Sequence, residues 1–192
     1  MHTRVAIEIR PLSHSDSLDE LTALLHRAYA ELGTQGLHFT AVDQTVEKTR
    51  ERAAKGSCFV AIIDEALAGT VTYYPPSPHA PSAWYRRPCV ASFGQFGVDP
   101  AHRGKRIGSQ LLTHIEQIAR AEGVTELALD TAEDATALVA MYTRMGFRIV
   151  DHDDDIVPNY RSVIMSKRLK QGGSRSCATE EQPCATYKRG PA

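Results

Sequence analysis

A strand that runs into a helix through a turn rich in glycine and positive charge constrains this chain more than any other feature. In residues 96 to 112, FGVDPAHRGKRIGSQLL, strand-like alternation stops at Pro100. A helical period follows, with Ile107, Leu111, Leu112, Ile115, Ile118 and Ala119 on one side and Gly123 as the stop. Such a strand–turn–helix unit points to a fold that lays helices on a sheet. The junction is also electrostatically odd. The first turn of a helix carries a partial positive charge and favours Asp or Glu, yet here it holds Arg103, Lys105 and Arg106. Gly104 and Gly108 let the backbone turn and approach a ligand closely, and the N–H groups of such a turn converge on one point. An anion is expected there, and a diphosphate suits the charge.

The other segments fit a mixed fold. VAIEI, residues 5 to 9, alternates as a half-buried strand does. SHSDSLDELTALLHRAYAELG places Leu18, Leu21, Leu24, Leu25, Ala28 and Leu32 at helical spacing behind capping residues. DQTVEKTRERAAKG reads as a polar helix ending at Gly56, its charges forming a solvated face. CFVAIID and LAGTVTYY make a hairpin. Residues 75 to 88 hold five prolines and must be a loop, which Trp84 and Tyr85 make either a substrate-side flap or an exposed connection. CVASFGQFGV is a fourth strand and ELALD a fifth. The helix DATALVAMYTRM follows, closed at Gly146 by a left-handed cap. FRIV, an acidic turn DHDDD and a final strand YRSVIMSKRL complete an α/β chain of about seven strands and four helices. Residues 5 to 169 are expected to form one domain, and the polar, aperiodic stretch 170 to 192 a disordered tail without chemistry.

Composition removes several classes of function. A net charge of −1 gives no broad basic field, so nucleic acid is not an expected partner. No apolar leader or run of 18 apolar residues occurs, which argues against secretion and a membrane partner. Cys58 and Cys89 lie in apolar, strand-like runs, Cys177 and Cys184 in the polar tail, with no metal-binding spacing. Free thiols in a reducing, cytoplasmic setting are the expectation, with no metal.

Among anion sites, the Walker loop fails because six residues separate Gly97 and Gly104 and Lys105 is followed by Arg106. The dinucleotide fingerprint G-x-G-x-x-G is absent. What remains, V-x-P-x-x-R-G-x-x-I-G, resembles the GNAT superfamily of acyl-CoA-dependent N-acetyltransferases. Its pattern, Arg/Gln-x-x-Gly-x-Gly/Ala, is met by Arg103 and Gly108, with Arg106 where the middle glycine usually stands. That departure keeps the backbone N–H and costs conformational freedom at the turn. ALVAMYTRMGF resembles the family's later helix, with a tyrosine four residues before Gly-Phe. The resemblance implies a mixed sheet splayed between its fourth and fifth strands. Acetyl-CoA would then be the co-substrate, its pantetheine arm along Phe96, Gly97 and Val98. Its pyrophosphate would lie on Arg103, Gly104, Lys105, Arg106, Ile107, Gly108 and Ser109. An asparagine that often contacts the cofactor aligns with Ala135.

Acetyl transfer requires a neutral amine, stabilisation of the oxyanion and a proton for the departing thiolate. Backbone N–H near Phe96 can serve the second need. Tyr142 suits the third, because a phenol near pKa ~10 can donate to a thiolate near ~8.5 when positioned. The fourth strand offers no carboxylate; Asp130 aligns with a glutamate that serves as base in some relatives, and a water chain is the alternative. His38, Trp84, Gln95 and Tyr160 are candidates for the acceptor pocket. The expected reaction is direct attack by a primary amine, of a small molecule or a peptide, in a ternary complex. A homodimer is compatible with this reading. Two other functions compete: a non-catalytic acyl-CoA-binding regulatory module, and nucleic-acid binding through HRGKR.

Overall fold

Capping decides where the first helices begin. The computed structural model describes residues 6–153 and 161–170. In chain order these form β1 (Glu8–Pro11), α1 (Leu18–Thr34), α2 (Val46–Ala54), β2 (Ser57–Ile63), β3 (Ala66–Tyr74) and β4 (Val90–Val98). Then come α3 (Ile107–Ala121), β5 (Glu126–Ala132), α4 (Thr136–Arg144), β6 (Arg148–Asp153) and β7 (Ser162–Arg168). Ser17 accepts from the Glu20 N–H at the start of α1, with Asp19 and Glu20 in its first turn. Thr45 accepts from the Lys48 N–H at the start of α2. No helix of the described residues is long and apolar enough to cross a membrane.

One seven-stranded sheet, in the order β1-β2-β3-β4-β5-β7-β6, carries the helices on both faces. A Cβ on Gly97 would point at Ala28 and Leu25 of α1, whereas one on Gly69 would meet Ile107 and Leu111 of α3. The main core lies on the α3 side, where Ile107, Leu111 and Ile115 pack on Val71, Ala91 and Phe93 of the sheet. A smaller core of Leu21, Ala53, Cys58 and Val60 lies under α1 and α2.

Neighbouring strands are antiparallel except β4 and β5, which run parallel over a short stretch, from Val90↔Glu126 to Ser92↔Ala128. Beyond it β4 stays with β3 as far as Val98, and β5 stays with β7 as far as Ala132. The sheet therefore opens between them. On β4 the cause is visible: Thr70 pairs with Gly97 but Thr72 with Gly94, so one extra residue is inserted in β4. Gln95 absorbs it with a left-handed φ of 46°, and an insertion of this kind bends and twists its strand.

The expected mixed sheet, its splay and its four helices are thus present. Several boundaries differ. β1 is Glu8–Pro11 rather than 5 to 9, because its ladder is set by Phe59–Ile62 of β2. Cys89 sits in the turn before β4, not in a strand. Asp151, His152 and Asp153 belong to β6, paired with Ile164, Val163 and Ser162, so the acidic turn does not begin at 151. The remaining aspartates of that run, Tyr160 and the 171–192 tail lie outside the described residues.

Gly97 lets α1 lie close on the strand that borders the opening, since its Cβ would come within 3.1 Å of the Ala28 Cβ. Gly97→Val is expected to cost about 1–3 kcal/mol by overpacking, read as a lower urea midpoint; an unchanged midpoint would mean that α1 is not tightly seated.

Candidate active site

Between the diverging strands lies a cavity of about 90 Å³, walled by Phe93–Phe96 of β4, Leu129–Thr131 of β5, Tyr142 of α4, Tyr29 of α1 and Arg52 of α2. The Tyr142 ring is held edge-on by Phe93 and Phe147, with centroids 6.3 and 5.9 Å away, and flanked by the tilted Phe96 ring at 6.4 Å. Such packing fixes a ring's direction. Burial pushes the phenol well above its ordinary pKa, with Tyr29 and Asp130 adding to the effect, so it holds its proton.

Asp130 is a half-buried carboxyl on β5. Burial raises its pKa, against the hydrogen bond donated by the Tyr85 hydroxyl at 3.0 Å and the field of Arg52. Tyr29 donates to the Phe96 carbonyl at 3.0 Å, and its own pKa is pushed up to about 12 by burial. On the α2 side a buried polar chain fixes the wall. Gln44 donates to Thr49 at 2.7 Å and to Gln95 at 3.1 Å, and accepts from Arg52 at 2.7 Å.

Past the far end of β4, Asp99 accepts from Ala101 N–H at 2.9 Å and pairs with Arg27 at 2.6 Å, tying the strand exit to α1. The chain then makes a turn at Gly104 (φ 80°) and Arg106 (φ 60°) before entering α3. Arg106 is the residue at the N-cap, no side chain caps the helix, and its first turn contains no acid. The opening N–H groups of α3 therefore lack intrahelical partners, and the side chains around them are basic and exposed. Arg103 reaches Glu31 at 3.3 Å and Lys105 the His102 ring at 3.0 Å. This terminus fits an anion.

Residues 18–147 match the family model of the acetyltransferase (GNAT) family. The chain belongs to that family. N-acetyltransferase 8B of Homo sapiens is 33% identical over 94 residues, 48% of this chain and 39% of that protein. IAA acetyltransferase of Azospirillum brasilense is 36% identical over 72 residues, 38% of this chain and 47% of that protein. The matches span less than half the length of either relative. Among solved structures, an acetyltransferase from Streptococcus agalactiae superposes with a TM-score of 0.66 at 22% identity, covering 85% of this chain and 98% of that one. The PaiA N-acetyltransferase of Thermoplasma acidophilum, in complex with coenzyme A, gives 0.63 at 21% identity, over 85% and 99%. A GNAT acetyltransferase of Elizabethkingia anophelis with acetyl-CoA bound gives 0.63 at 17%, over 85% and 98%.

In this GNAT chain Tyr142, Asp130, Gln95 and Phe96 meet at one cavity. Gly97 and Val98 continue β4 toward the Arg103–Ser109 turn. Gln95 faces the cavity with its amide already engaged by Gln44 and 3.4 Å from Thr72 Oγ1. His38 does not line the cavity, where its neighbours Phe39 and Thr40 do. Trp84 lies instead under the Arg87 guanidinium, 4.1 Å from the ring centroid, in a side cluster with Tyr85, Val90 and Ile164. Ala135 is buried at the start of α4. The 75–88 segment reaches the site through Tyr85 rather than as a flap led by Trp84.

Sequence reasoning missed Tyr29, Gln44 and Arg52. The signal for the last two was present but easily misread. A capped helix with almost no apolar stripe still buries one face, and here that face is Thr49 and Ala53 with Arg52 beside it. The charges of α2 are therefore not all a solvated face.

Because Arg106 takes the left-handed conformation that suits glycine, Arg106→Gly is expected to leave the unliganded protein as stable or about 1 kcal/mol more stable. Urea denaturation checks this, and a clear loss of stability would contradict the strain at that turn.

Proposed function

We propose that this protein transfers an acetyl group from acetyl-CoA to a primary amine by direct attack in a ternary complex. The observation that carries the reading is the gap between β4 and β5, with a proton-holding tyrosine and a half-buried carboxyl on its walls. The uncapped, basic α3 terminus beyond the same strand supports it.

Acetyl-CoA, when bound, supplies the acyl group and a thiol leaving group. The pantetheine arm would lie along the edge of Phe96–Val98 that no strand covers, beside the Tyr29 hydroxyl that holds the Phe96 carbonyl, and the N–H groups from Gly104 to Ser109 would face the pyrophosphate. A bare strand edge pairs with any extended chain that offers amide groups, and the pantetheine arm is such a chain. Backbone N–H near Phe96 would polarise the acyl oxygen.

Proton traffic falls to two side chains. Asp130, its pKa raised by burial, is the better base for an ammonium that must lose a proton. Tyr142 keeps its proton until the thiolate departs. Its raised pKa makes it a weaker acid, but the same dry site penalises a thiolate too, so the two stay matched. Cys58 takes no part: it is buried in β2, hydrogen-bonded to Thr70, with its thiol pushed up by burial. Neither it nor Cys89 lines the cavity.

Tyr142→Phe is expected to lower kcat about a hundredfold while leaving the Kd for coenzyme A within about twofold. Thiol release and calorimetry measure the two; an unchanged kcat removes Tyr142 as acid. A chain that only bound acyl-CoA would release no thiol with any amine.

Asp130 must be ionised to act, so kcat is expected to fall as pH drops through its folded pKa, which lies above the ordinary carboxylate value. Asp130→Asn should remove that acidic limb. For stability the sign reverses: a raised carboxylate pKa favours the fold at low pH and loses that contribution as pH rises. The Asn variant should therefore be at least as stable as wild type at pH 7. A variant that keeps the acidic limb would point to a water chain instead.

A further inference from the structure

The same cavity holds a cation that acetyl transfer as described does not use. Arg52 leaves the last turn of α2 and lines the cavity, whereas Glu47, Lys48, Arg50, Glu51 and Lys55 pair with one another along the exposed side of that helix. Its Nη1 donates to Gln44 Oε1 at 2.7 Å. Gln44 is only 4% exposed and is itself fixed by Thr49 and Gln95. A neutral amide thus aims the guanidinium, and among the described residues no carboxylate forms an ion pair with it. Asp130 stands on the β5 wall and feels the charge of Arg52 without touching it.

A partly desolvated cation without an anion is unfavourable, and the remedy is an anion brought by a ligand. Arginine presents a planar fork that matches a carboxylate. Gly94 lies beside that fork: a Cβ there would meet Nη2 at 3.7 Å and the Tyr74 ring at 3.3 Å. Among the described residues the buried Thr131 hydroxyl has no hydrogen-bond partner, but it points to the opposite face of β5 from Asp130. A cavity of about 90 Å³ admits a small polar head rather than a bulky one. Its charges, acidic on β5 and basic on α2, are those that a zwitterion would meet. A diamine would instead bring a second positive charge toward Arg52, and a lysine side chain would bring no anion for its fork.

We propose that the acceptor carries a carboxylate beside its amine, as a free amino acid or an amino-acid conjugate does, and that Arg52 is the residue that selects it. The proposal rests on the acetyl-transfer reading above. The carboxylate would lie on the Arg52 fork and the ammonium toward Asp130, which orients the amine for attack.

Matched acceptors test this: phenylalanine, phenylalaninamide and phenethylamine; leucine, leucinamide and isoamylamine; and the diamine putrescine. Each is assayed for thiol release with wild type, Arg52→Met and Arg52→Lys. Calorimetry with coenzyme A runs in parallel. Wild type is expected to favour the carboxylate members. Arg52→Met should lower kcat/KM for them by ten- to a hundredfold, roughly the worth of a charged hydrogen bond, while the amides and amines change little. The ratio between variant and wild type cancels differences in amine basicity. Arg52→Lys should recover part of the preference, which a purely structural role would not do. The proposal fails if putrescine or the neutral-tailed amines match the amino acids in wild type, or if Arg52→Met lowers every acceptor alike. It fails also if coenzyme A binds and no amino acid is acetylated, which leaves the cofactor site standing. Absence of coenzyme A binding would instead overturn the reading beneath it.

Discussion

One inserted residue in β4 sets up everything else in this molecule. A strand that kept its register would go on pairing with β5, and no room would remain between them. Gln95 takes a left-handed φ of 46° instead, a conformation that costs a non-glycine residue on the order of 1–3 kcal/mol. Its side chain offsets part of that cost: it turns to the α2 face, where Gln44 and Thr72 meet its amide in a buried setting. The strain opens the sheet and directs polar groups into the opening. Both halves of the site depend on that local distortion.

From the opening, β4 works in two directions. Toward its start it forms one wall of the cavity, with Phe93 and Phe96 holding Tyr142 in place. Toward its end it delivers the chain, through Asp99 and the Arg27 pair, into the turn that starts α3. The net charge of −1 hides this polarity. Positive charge is gathered around uncapped N–H groups at the α3 terminus, and a second cation lines the cavity. Such placement makes sense for a protein whose ligands bring the negative charge with them.

The parts of this architecture governed by short-range patterns were legible in the sequence. Apolar spacing identified α1, α3 and the hairpin, and the basic, glycine-bearing junction marked the turn into α3 as a candidate anion site. Tyr142 was singled out by the resemblance of ALVAMYTRMGF to the family's later helix, and the structure places it on the cavity wall. What could not be read were choices made by tertiary contact. The left-handed Gln95 has no local signature, because only the offset of Thr70 and Thr72 against β4 requires it. The end of β1 follows β2 rather than its own alternation. Arg52 looked like one more charge on a polar helix, and Trp84, the most conspicuous side chain of its loop, lies under Arg87. A large aromatic is drawn to the nearest apolar surface, and here that surface is not the site.

The central claim is that the free edge of β4 and the α3 terminus together receive one extended cofactor through its pantetheine arm and its doubly charged pyrophosphate. Amide hydrogen exchange with and without acetyl-CoA tests it most directly. The account requires slower exchange at Phe96–Val98 and at Gly104–Ser109 when the cofactor is added, with β2 and the start of β3 unchanged. Protection confined to other segments, or no protection at saturating cofactor, would contradict it.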